Sequence, residues 1–132
     1  MRERYPDELR AYRSRKGLVK QALVVMMDGD RWGVRERLAQ LDAACRKAEV
    51  QPRDAEEHVA IFVPTWRIET WFAYLEGENV DELNRGYPKL VRTGDCQKHV
   101  QALAKMCDAG DLRATAPPSL KTACGEFHSR LP

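Results

Sequence analysis

The sequence predicts an α/β fold in which a parallel sheet is flanked by helices, with a helical C-terminal part. Two apolar runs, residues 22–27 and 58–63, are short and bounded by polar residues or proline, which favours strands over helices. Residues 34–49 lie between them and repeat apolar positions at helical spacing. Strand, helix and strand in this order form a βαβ unit, whose strands are parallel. At 132 residues the chain is predicted to be a single domain.

The chain opens with a predicted helix at residues 6–16. Pro6 is favoured at the first helical position, and the two acidic residues after it suit the positive end of a helix dipole. Gly17 is placed to end the helix. Since Leu9 and Tyr12 are its main apolar residues, we expect this helix to bury little surface.

The first predicted strand, residues 22–27, leads into Asp28-Gly29-Asp30. An unbroken apolar run of this length is typical of a central strand that is buried on both faces. The carboxyl end of such a strand is where α/β sheets bind ligands. The two carboxylates repel each other, and Mg²⁺ or Mn²⁺, which prefer oxygen ligands, would relieve the repulsion. In the alternative, Asp30 caps the helix that follows.

The second predicted strand ends at Pro64 and leads into a helix that packs on the sheet through a stripe of four residues: Ile68, Trp71, Phe72 and Leu75. Glu69 lies in the first turn of this helix, near the carboxyl end of a strand close to the one that carries Asp28 and Asp30. It would add a third carboxylate to a cation site. In the alternative, Glu69 complements the helix dipole or caps the N-terminus of the helix, and Arg67 is its charged partner.

Two tryptophans, Trp32 and Trp66, fall in the loops above this candidate site, whereas Trp71 is predicted to lie in the core. In the loops an indole ring can stack on a nucleic-acid base or cover the sheet. Together with the neighbouring Arg31 and Arg67, Trp32 and Trp66 form the candidate nucleic-acid-binding set.

The C-terminal part is predicted to be helical over residues 95–109 and 119–130, with Ser119 as the cap of the last helix. The four cysteines fall on apolar faces of predicted helices: Cys45 in residues 34–49, Cys96 and Cys107 in residues 95–109, and Cys124 in residues 119–130. Buried cysteine behaves as a small apolar residue, so we expect reduced core thiols rather than a zinc site.

The charge balance is +2, but the charge is unevenly distributed. Residues 1–20 are rich in lysine and arginine, and residues 76–82 are acidic. A basic run of this kind meets phosphate or an acidic partner, or is a solvated helix face. No stretch is apolar and long enough to span a membrane and no signal peptide opens the chain, so we expect a soluble, cytoplasmic protein.

A strand that ends in Asp28-Gly29-Asp30, followed by a βα unit that contains Val63-Pro64-Thr65-Trp66-Arg67-Ile68-Glu69-Thr70-Trp71-Phe72, resembles the TOPRIM-like fold. The resemblance is closest to the small TOPRIM-like proteins encoded beside OLD/ABC-type ATPases in bacterial anti-phage loci. It covers roughly residues 5–75, with weaker similarity at residues 119–126. On this resemblance residues 1–77 form a βαβ core and residues 78–132 a helical extension.

The resemblance implies a Mg²⁺-dependent nuclease in which Asp28 and Asp30 are metal ligands and Glu69 is an accessory ligand or base. Members of the family begin with a strand that ends in a catalytic glutamate, and neither Glu3 nor Glu8 lies in such a setting. The sequence departs from the family at this point. Either the chain starts late, or another protein completes the sheet and the site.

Three functions therefore remain open. The first is a Mg²⁺- or Mn²⁺-dependent nuclease component that acts on DNA or RNA with an ATPase partner, as an oligomer. The second is a non-catalytic interaction subunit that keeps the fold and assembles with a partner protein. The third, a glycosyl- or phosphotransferase of the Asp-x-Asp kind, is disfavoured because Arg31 and Trp32 follow Asp30 where the phosphatase pattern requires threonine.

Overall fold

The structure is a computed structural model that describes residues 2–75, 104, 105, 107 and 116–131. The elements with described bounds are α1 (Tyr5–Ser14), β1 (Leu23–Met26), α2 (Gly33–Lys47), β2 (Val59–Phe62), α3 (Ile68–Leu75) and α4 (Pro118–Arg130). The two strands pair in parallel, with Leu23 opposite Val59. The predicted α/β class and element order are confirmed in these residues. Most of the helix predicted at residues 95–109 lies outside them, although residues 104, 105 and 107 are helical.

One face of the sheet packs against α1 and α2. The buried cluster on this side combines β1 and β2 side chains with residues of both helices: Tyr5, Leu9, Tyr12, Val25, Leu41, Cys45, Val59, Ile61 and Val63. Tyr5 and Leu9 are fully buried, so the expectation that α1 buries little was wrong. The sequence pattern was misread because Tyr5 and Pro6, at the start of the helix, also face the core.

The opposite face of β2 packs against α3 and α4 around Trp71, whose burial confirms the prediction. The indole Nε1–H of Trp71 donates to the Ser119 Oγ over 2.9 Å. The sequence predicted that Ser119 caps α4, and this was wrong. Ser119 is a buried residue that hydrogen-bonds to the core. The residue at the cap position is Pro117, whose φ of −58° suits the start of a helix.

The same face of β1 is open to solvent. Val24 is 48% exposed and Met26 is 43% exposed, whereas Val25 on the other face is buried. The prediction of a strand buried on both faces was therefore wrong. The reason lies in the packing, because α4 contacts β2 and the α3–α4 cluster includes Phe62 of β2 but no residue of β1.

The outer edge of β2 is sealed by a pair of charged side chains. Arg53 and Glu126 form a two-pronged ion pair, with N–O distances of 2.5 and 2.8 Å. Arg53 also donates to the Val59 carbonyl over 2.7 Å, and Glu126 accepts from the Ile61 N–H over 3.0 Å. Burial acts to raise the pKa of Glu126, but these hydrogen bonds outweigh it and leave the pKa below its usual range. Side chains thus satisfy main-chain groups that a third strand would otherwise bind.

Part of the basic N-terminal run is used inside the fold. Arg13 binds both carboxylate oxygens of Glu57 over 2.8 Å and donates to the main chain at Gln51 and Pro52. Glu57 is 3% exposed, and the hydrogen bonds from Arg13 lower its pKa. Arg13 therefore joins α1 to the segment before β2 instead of meeting an external partner.

Two cysteines are bonded to each other. Cys107 and Cys124 form a disulfide, so the prediction of reduced thiols at these positions was wrong. The two positions lie 17 residues apart, and each was correctly placed on a buried helix face, which brings the sulfur atoms within bonding reach. Cys45 is a free, buried thiol, as predicted, while Cys96 lies outside the described residues.

The described helices are short. Among these residues, no helix has the length and apolar character needed to cross a membrane.

Candidate functional site

The chain segments that follow the two strands remain paired beyond the sheet. The Gly29 N–H donates to the Pro64 carbonyl over 2.8 Å, and the Asp30 N–H donates to the Trp66 carbonyl over 3.0 Å. A Cβ atom at Gly29 would lie 2.8 Å from the Pro64 oxygen, so this close approach requires glycine. The carboxyl ends of β1 and β2 are therefore held together, as the predicted site requires.

Two residues of this junction have left-handed backbone conformations. Asp30 has a φ of 47° and Trp66 has a φ of 61°. Aspartate adopts this region more readily than most residues with a side chain, whereas for a bulky residue such as Trp66 it costs about 1–2 kcal/mol. The strain is located between the two loops that carry the predicted site residues, as is common where backbone geometry positions functional groups.

The Asp28 carboxylate lies beside the N-terminus of α3. It accepts a hydrogen bond from the N–H of Ile68, the first residue of that helix. Burial raises the pKa of Asp28, and the negative charges of Asp30 and then Glu69 raise it further, against smaller opposing effects of the Ile68 hydrogen bond and Arg67. Asp28 therefore interacts electrostatically with both of the other carboxylates that the sequence singled out.

Helix capping at this site differs from the alternative that the sequence left open. The residue before α2 is Trp32, and no side chain caps that helix, so Asp30 does not have this role. Asp28 instead accepts a hydrogen bond at the start of α3. Glu69 is half-buried in the first turn of α3. A carboxylate at either of these positions also complements the positive end of the helix dipole.

Sequence reasoning missed Arg37 on α2, which binds both aspartates. Its Nη2 lies 2.6 Å from the Asp30 Oδ2, and its Nε donates to the main-chain carbonyl of Asp28 over 3.0 Å. The Arg37 side chain is 13% exposed, whereas that of Asp30 is 57% exposed. The signal available in the sequence was the position of Arg37 in the first two turns of the helix that directly follows Asp30.

A cleft of about 530 Å³ opens above these groups. Its lining combines the two aspartates and Arg37 with residues from the N-terminus and the loops: Arg2, Glu3, Met27, Asp28, Asp30, Trp32 and Arg37. Glu3 lies in a turn before α1 and not at the end of a strand, as the sequence indicated, but it is at this cleft, with its Oε1 3.8 Å from the Arg2 Nη2 and its side chain 80% exposed. Charges of both signs therefore face the cleft.

Of the four residues predicted to bind nucleic acid, Trp32 is among the residues that line the cleft, and Arg31, Trp66 and Arg67 are not. Trp32 lines the cleft and is 42% exposed, and the Arg31 guanidinium stacks 4.5 Å from the centre of its ring. Trp66 and Arg67 are half-buried in the loop before α3. An exposed aromatic ring with a stacked guanidinium presents a flat cationic surface to a base or a phosphate.

The chemistry of the donors suits a hard cation, but their arrangement is incomplete. Asp28, Asp30 and Glu69 offer only carboxylate oxygens, the ligands that Mg²⁺ and Mn²⁺ prefer. In residues 2–75, 104, 105, 107 and 116–131, no group of three or more His, Cys, Asp or Glu side chains is arranged to hold a metal ion. The geometry gives one reason, since Asp30 is bound by Arg37 and has to release it before joining the other two carboxylates.

Comparisons with protein-family models, with curated proteins and with solved structures found no match to this chain.

Proposed function

We propose that this chain binds a divalent cation through Asp28, Asp30 and Glu69 and is the nuclease component of a bacterial defence system, acting on DNA or RNA phosphodiesters. The observation that carries the proposal is the electrostatic coupling of Asp28 to both Asp30 and Glu69 where the chain leaves two parallel strands. The coupling is unfavourable in the chain alone, because each negative charge raises the pKa of Asp28. A bound cation would make it favourable.

The residues around the cleft have separable roles in such a reaction. Asp28 is hydrogen-bonded to the first turn of α3 and Glu69 lies in that turn. The left-handed backbone of Asp30 sets the direction in which its side chain leaves the loop. Mg²⁺ or Mn²⁺ in this position would offset the charge of a scissile phosphate and lower the pKa of water. Arg37, released from Asp30, would be free to bind a phosphate oxygen, since guanidinium groups match phosphate geometry.

The surface beside the cleft supports nucleic acid as the substrate. The stacked pair of Arg31 and Trp32 offers a base-stacking platform next to the carboxylates. Support for an ATPase partner and for a role in anti-phage defence comes from the resemblance to TOPRIM-like proteins. The ATPase partner and the role in defence are therefore parts of the proposal.

A second candidate function, a non-catalytic subunit that assembles with a partner protein, is favoured by one observation. Both aspartates already have protein partners, since Arg37 neutralises Asp30 and the Ile68 N–H binds Asp28. In this case the carboxylates are structural, and Arg37 stands permanently where a cation would otherwise act.

A titration with Mn²⁺ by calorimetry separates the two functions. The wild type is compared with the double variant Asp28→Asn, Asp30→Asn, in which the amide oxygen introduced at the first position can still accept the Ile68 hydrogen bond. Asp7→Asn, an exposed carboxylate on α1, is the control for charge alone. Saturable binding that the double variant loses and the control keeps supports the cation site.

Cleavage assays then test the chemistry. Single-stranded DNA, duplex DNA and RNA are incubated with the protein and Mg²⁺ or Mn²⁺, alone and with a candidate ATPase. Cleavage that requires the metal and disappears in the double variant supports the nuclease. Absence of Mn²⁺ binding and of cleavage in the wild type, with stable co-purification of a partner, establishes the second candidate.

A further inference from the structure

The chain from Lys20 to Asp28 alternates strictly between exposed and covered residues. Even-numbered residues are exposed, and odd-numbered residues are half-buried or buried. This period of two is the signature of an extended strand with one covered face, and it extends beyond both ends of β1. The exposed side carries Ala22, Val24 and Met26, which is an unusual set of residues for a solvent-facing strand surface.

The same even-numbered residues direct their main-chain groups away from β2. The N–H groups of Leu23 and Met27 donate to the His58 and Phe62 carbonyls of the neighbouring chain segment. In a strand, the main-chain groups of successive residues point to opposite edges, so those of Ala22, Val24 and Met26 point to the outer edge of β1. In the described part of the chain, β1 pairs only with β2.

The two outer edges of the sheet differ in whether side chains bind their main-chain groups. At β2 the outer edge is closed by Arg53 and Glu126, which bind the Val59 carbonyl and the Ile61 N–H. At β1 the described residues supply no such closure, and the edge carries no proline between residues 20 and 28. An open, apolar strand edge is a template for pairing with another strand.

We infer that the outer edge of β1 pairs antiparallel with β1 of a second copy of this chain, centred on Val24. This register places Val24 opposite Val24 and Ala22 opposite Met26 of the other copy, so every outward-pointing residue of the open stretch has a partner. Arg37 already binds the Asp28 carbonyl, which ends the available ladder at Met26. Shifting the register by two residues in either direction leaves one of these outward groups without its counterpart.

Charge complementarity supports the same register. It places Lys20 of each copy opposite Asp28 of the other, twice across the two-fold axis. Both residues are exposed and lie on the same side as Val24 and Met26, although the Asp28 carboxylate is partly covered at the start of α3. Opposite charges at facing positions stabilise an antiparallel pair, and like charges destabilise it. A heterologous partner strand would need its own matching pattern, whereas this segment matches itself, as an isologous interface requires.

The pairing would join the two-stranded sheets of both copies into one continuous sheet. It would bury Val24 and Met26 between the α3–α4 layers of the two copies and bring Lys20 of the second copy beside the candidate cation site. The inference does not depend on cation binding, because the pairing is argued from the strand edge and its register from the charges of Lys20 and Asp28, whatever the function of Asp28. A site that binds no cation leaves the dimer intact, and a monomer can still bind one.

Sedimentation of the full chain from about 1 µM to about 500 µM tests the inference. Val24→Lys places a charge at the two-fold axis and is expected to abolish the dimer. Leu18→Lys makes the same chemical change at an 80% exposed position outside the ladder and is expected to leave it unchanged. Circular dichroism of each variant verifies the fold.

Charge reversal tests the register. Lys20→Asp and Asp28→Lys are each expected to weaken dimerisation at least about tenfold, since two attractive pairs become two repulsive ones. The variant that carries both changes is expected to recover the wild-type affinity. A wild type that is monomeric throughout overturns the inference, as does a dimer that survives Val24→Lys. A double reversal that fails to recover affinity overturns the Val24-centred register.

Discussion

Arg37 acts as an internal cation, and its removal is expected to strengthen the binding of an external one. In the structure its guanidinium neutralises Asp30, which a divalent ion would need as a ligand. Cation binding in the wild type therefore includes the cost of breaking this ion pair. The variant Arg37→Gln removes the positive charge while keeping a polar side chain of similar width, so the cost disappears.

The size of the effect follows from the geometry of the pair. The Nη2 and Oδ2 atoms are 2.6 Å apart, which is a strong contact, but the Asp30 side chain is 57% exposed. Solvent screening at that exposure reduces the pair to about 1 kcal/mol. Since 1.4 kcal/mol corresponds to a factor of ten, Arg37→Gln is expected to lower the Kd for Mn²⁺ about fivefold.

Calorimetry with Mn²⁺ at neutral pH measures this change directly. Arg35→Gln is the matched control, because Arg35 lies on the same helix, is exposed and carries the same charge. The control removes the long-range field of one positive charge without releasing Asp30. If Arg37→Gln binds Mn²⁺ no more tightly than Arg35→Gln, the ion pair does not compete with the cation and the reasoning fails.

Four further predictions concern the raised pKa of Asp28, which leads to two of them, the close backbone contact at Gly29 and the sealed edge of β2. The pKa of Asp28 is raised, so protons should compete with a cation for this carboxylate at a higher pH than at an ordinary aspartate. Calorimetry between about pH 7 and pH 5 should show the affinity for Mn²⁺ falling as the pH is lowered. The raised pKa also means that ionised Asp28 destabilises the fold as pH rises through it, so Asp28→Asn should unfold at a higher urea concentration than wild type at pH 7. Gly29→Ala should lower the free energy of unfolding by about 1–3 kcal/mol, because its Cβ would lie 2.8 Å from a main-chain oxygen. Gly125→Ala, in an open helical position, should instead raise it by about 0.5–1 kcal/mol. Equal effects of the two variants in urea titrations would contradict this. Glu126→Ala should lower the free energy of unfolding by about 3 kcal/mol, because it leaves the Arg53 guanidinium, which is 9% exposed, without its carboxylate. Asp7→Ala, at an exposed ion pair, should lower it by less than about 1 kcal/mol. Similar urea midpoints for the two variants would refute this prediction.

The elements of the fold were predictable because their signals are local. Helical spacing and short apolar runs placed α2, β1, β2 and α3 within a few residues of their observed bounds. The surroundings of each element were harder to predict. The apolar run at β1 has the same composition as a strand buried on both faces, and only the position of α3 and α4 over β2 leaves Val24 and Met26 exposed.

At the candidate site, too, the local features were predictable and the surroundings of each residue were not. Asp28, Asp30 and Glu69 were predicted from their places after strands and at a helix start, and in the structure Asp28 lies within electrostatic reach of the other two. The partners of these carboxylates depend on side-chain directions that the sequence does not encode locally. Arg37 reaches back from α2 to Asp30, and Asp28 binds the start of α3 instead of the helix that follows it in the chain.

The closure of β2 by Glu126 also has a consequence for biosynthesis. Ile61 and Glu126 are 65 residues apart, so the strand leaves the ribosome several seconds before the helix that protects it, at translation rates of about 5–20 residues per second. During this interval the outer edge of β2 lacks the carboxylate that binds the Ile61 N–H, so this edge can pair with other chains or be bound by chaperones. Completion of α4 closes the outer edge of β2, so a segment that is made well after the strand determines whether this side of the sheet remains available for assembly.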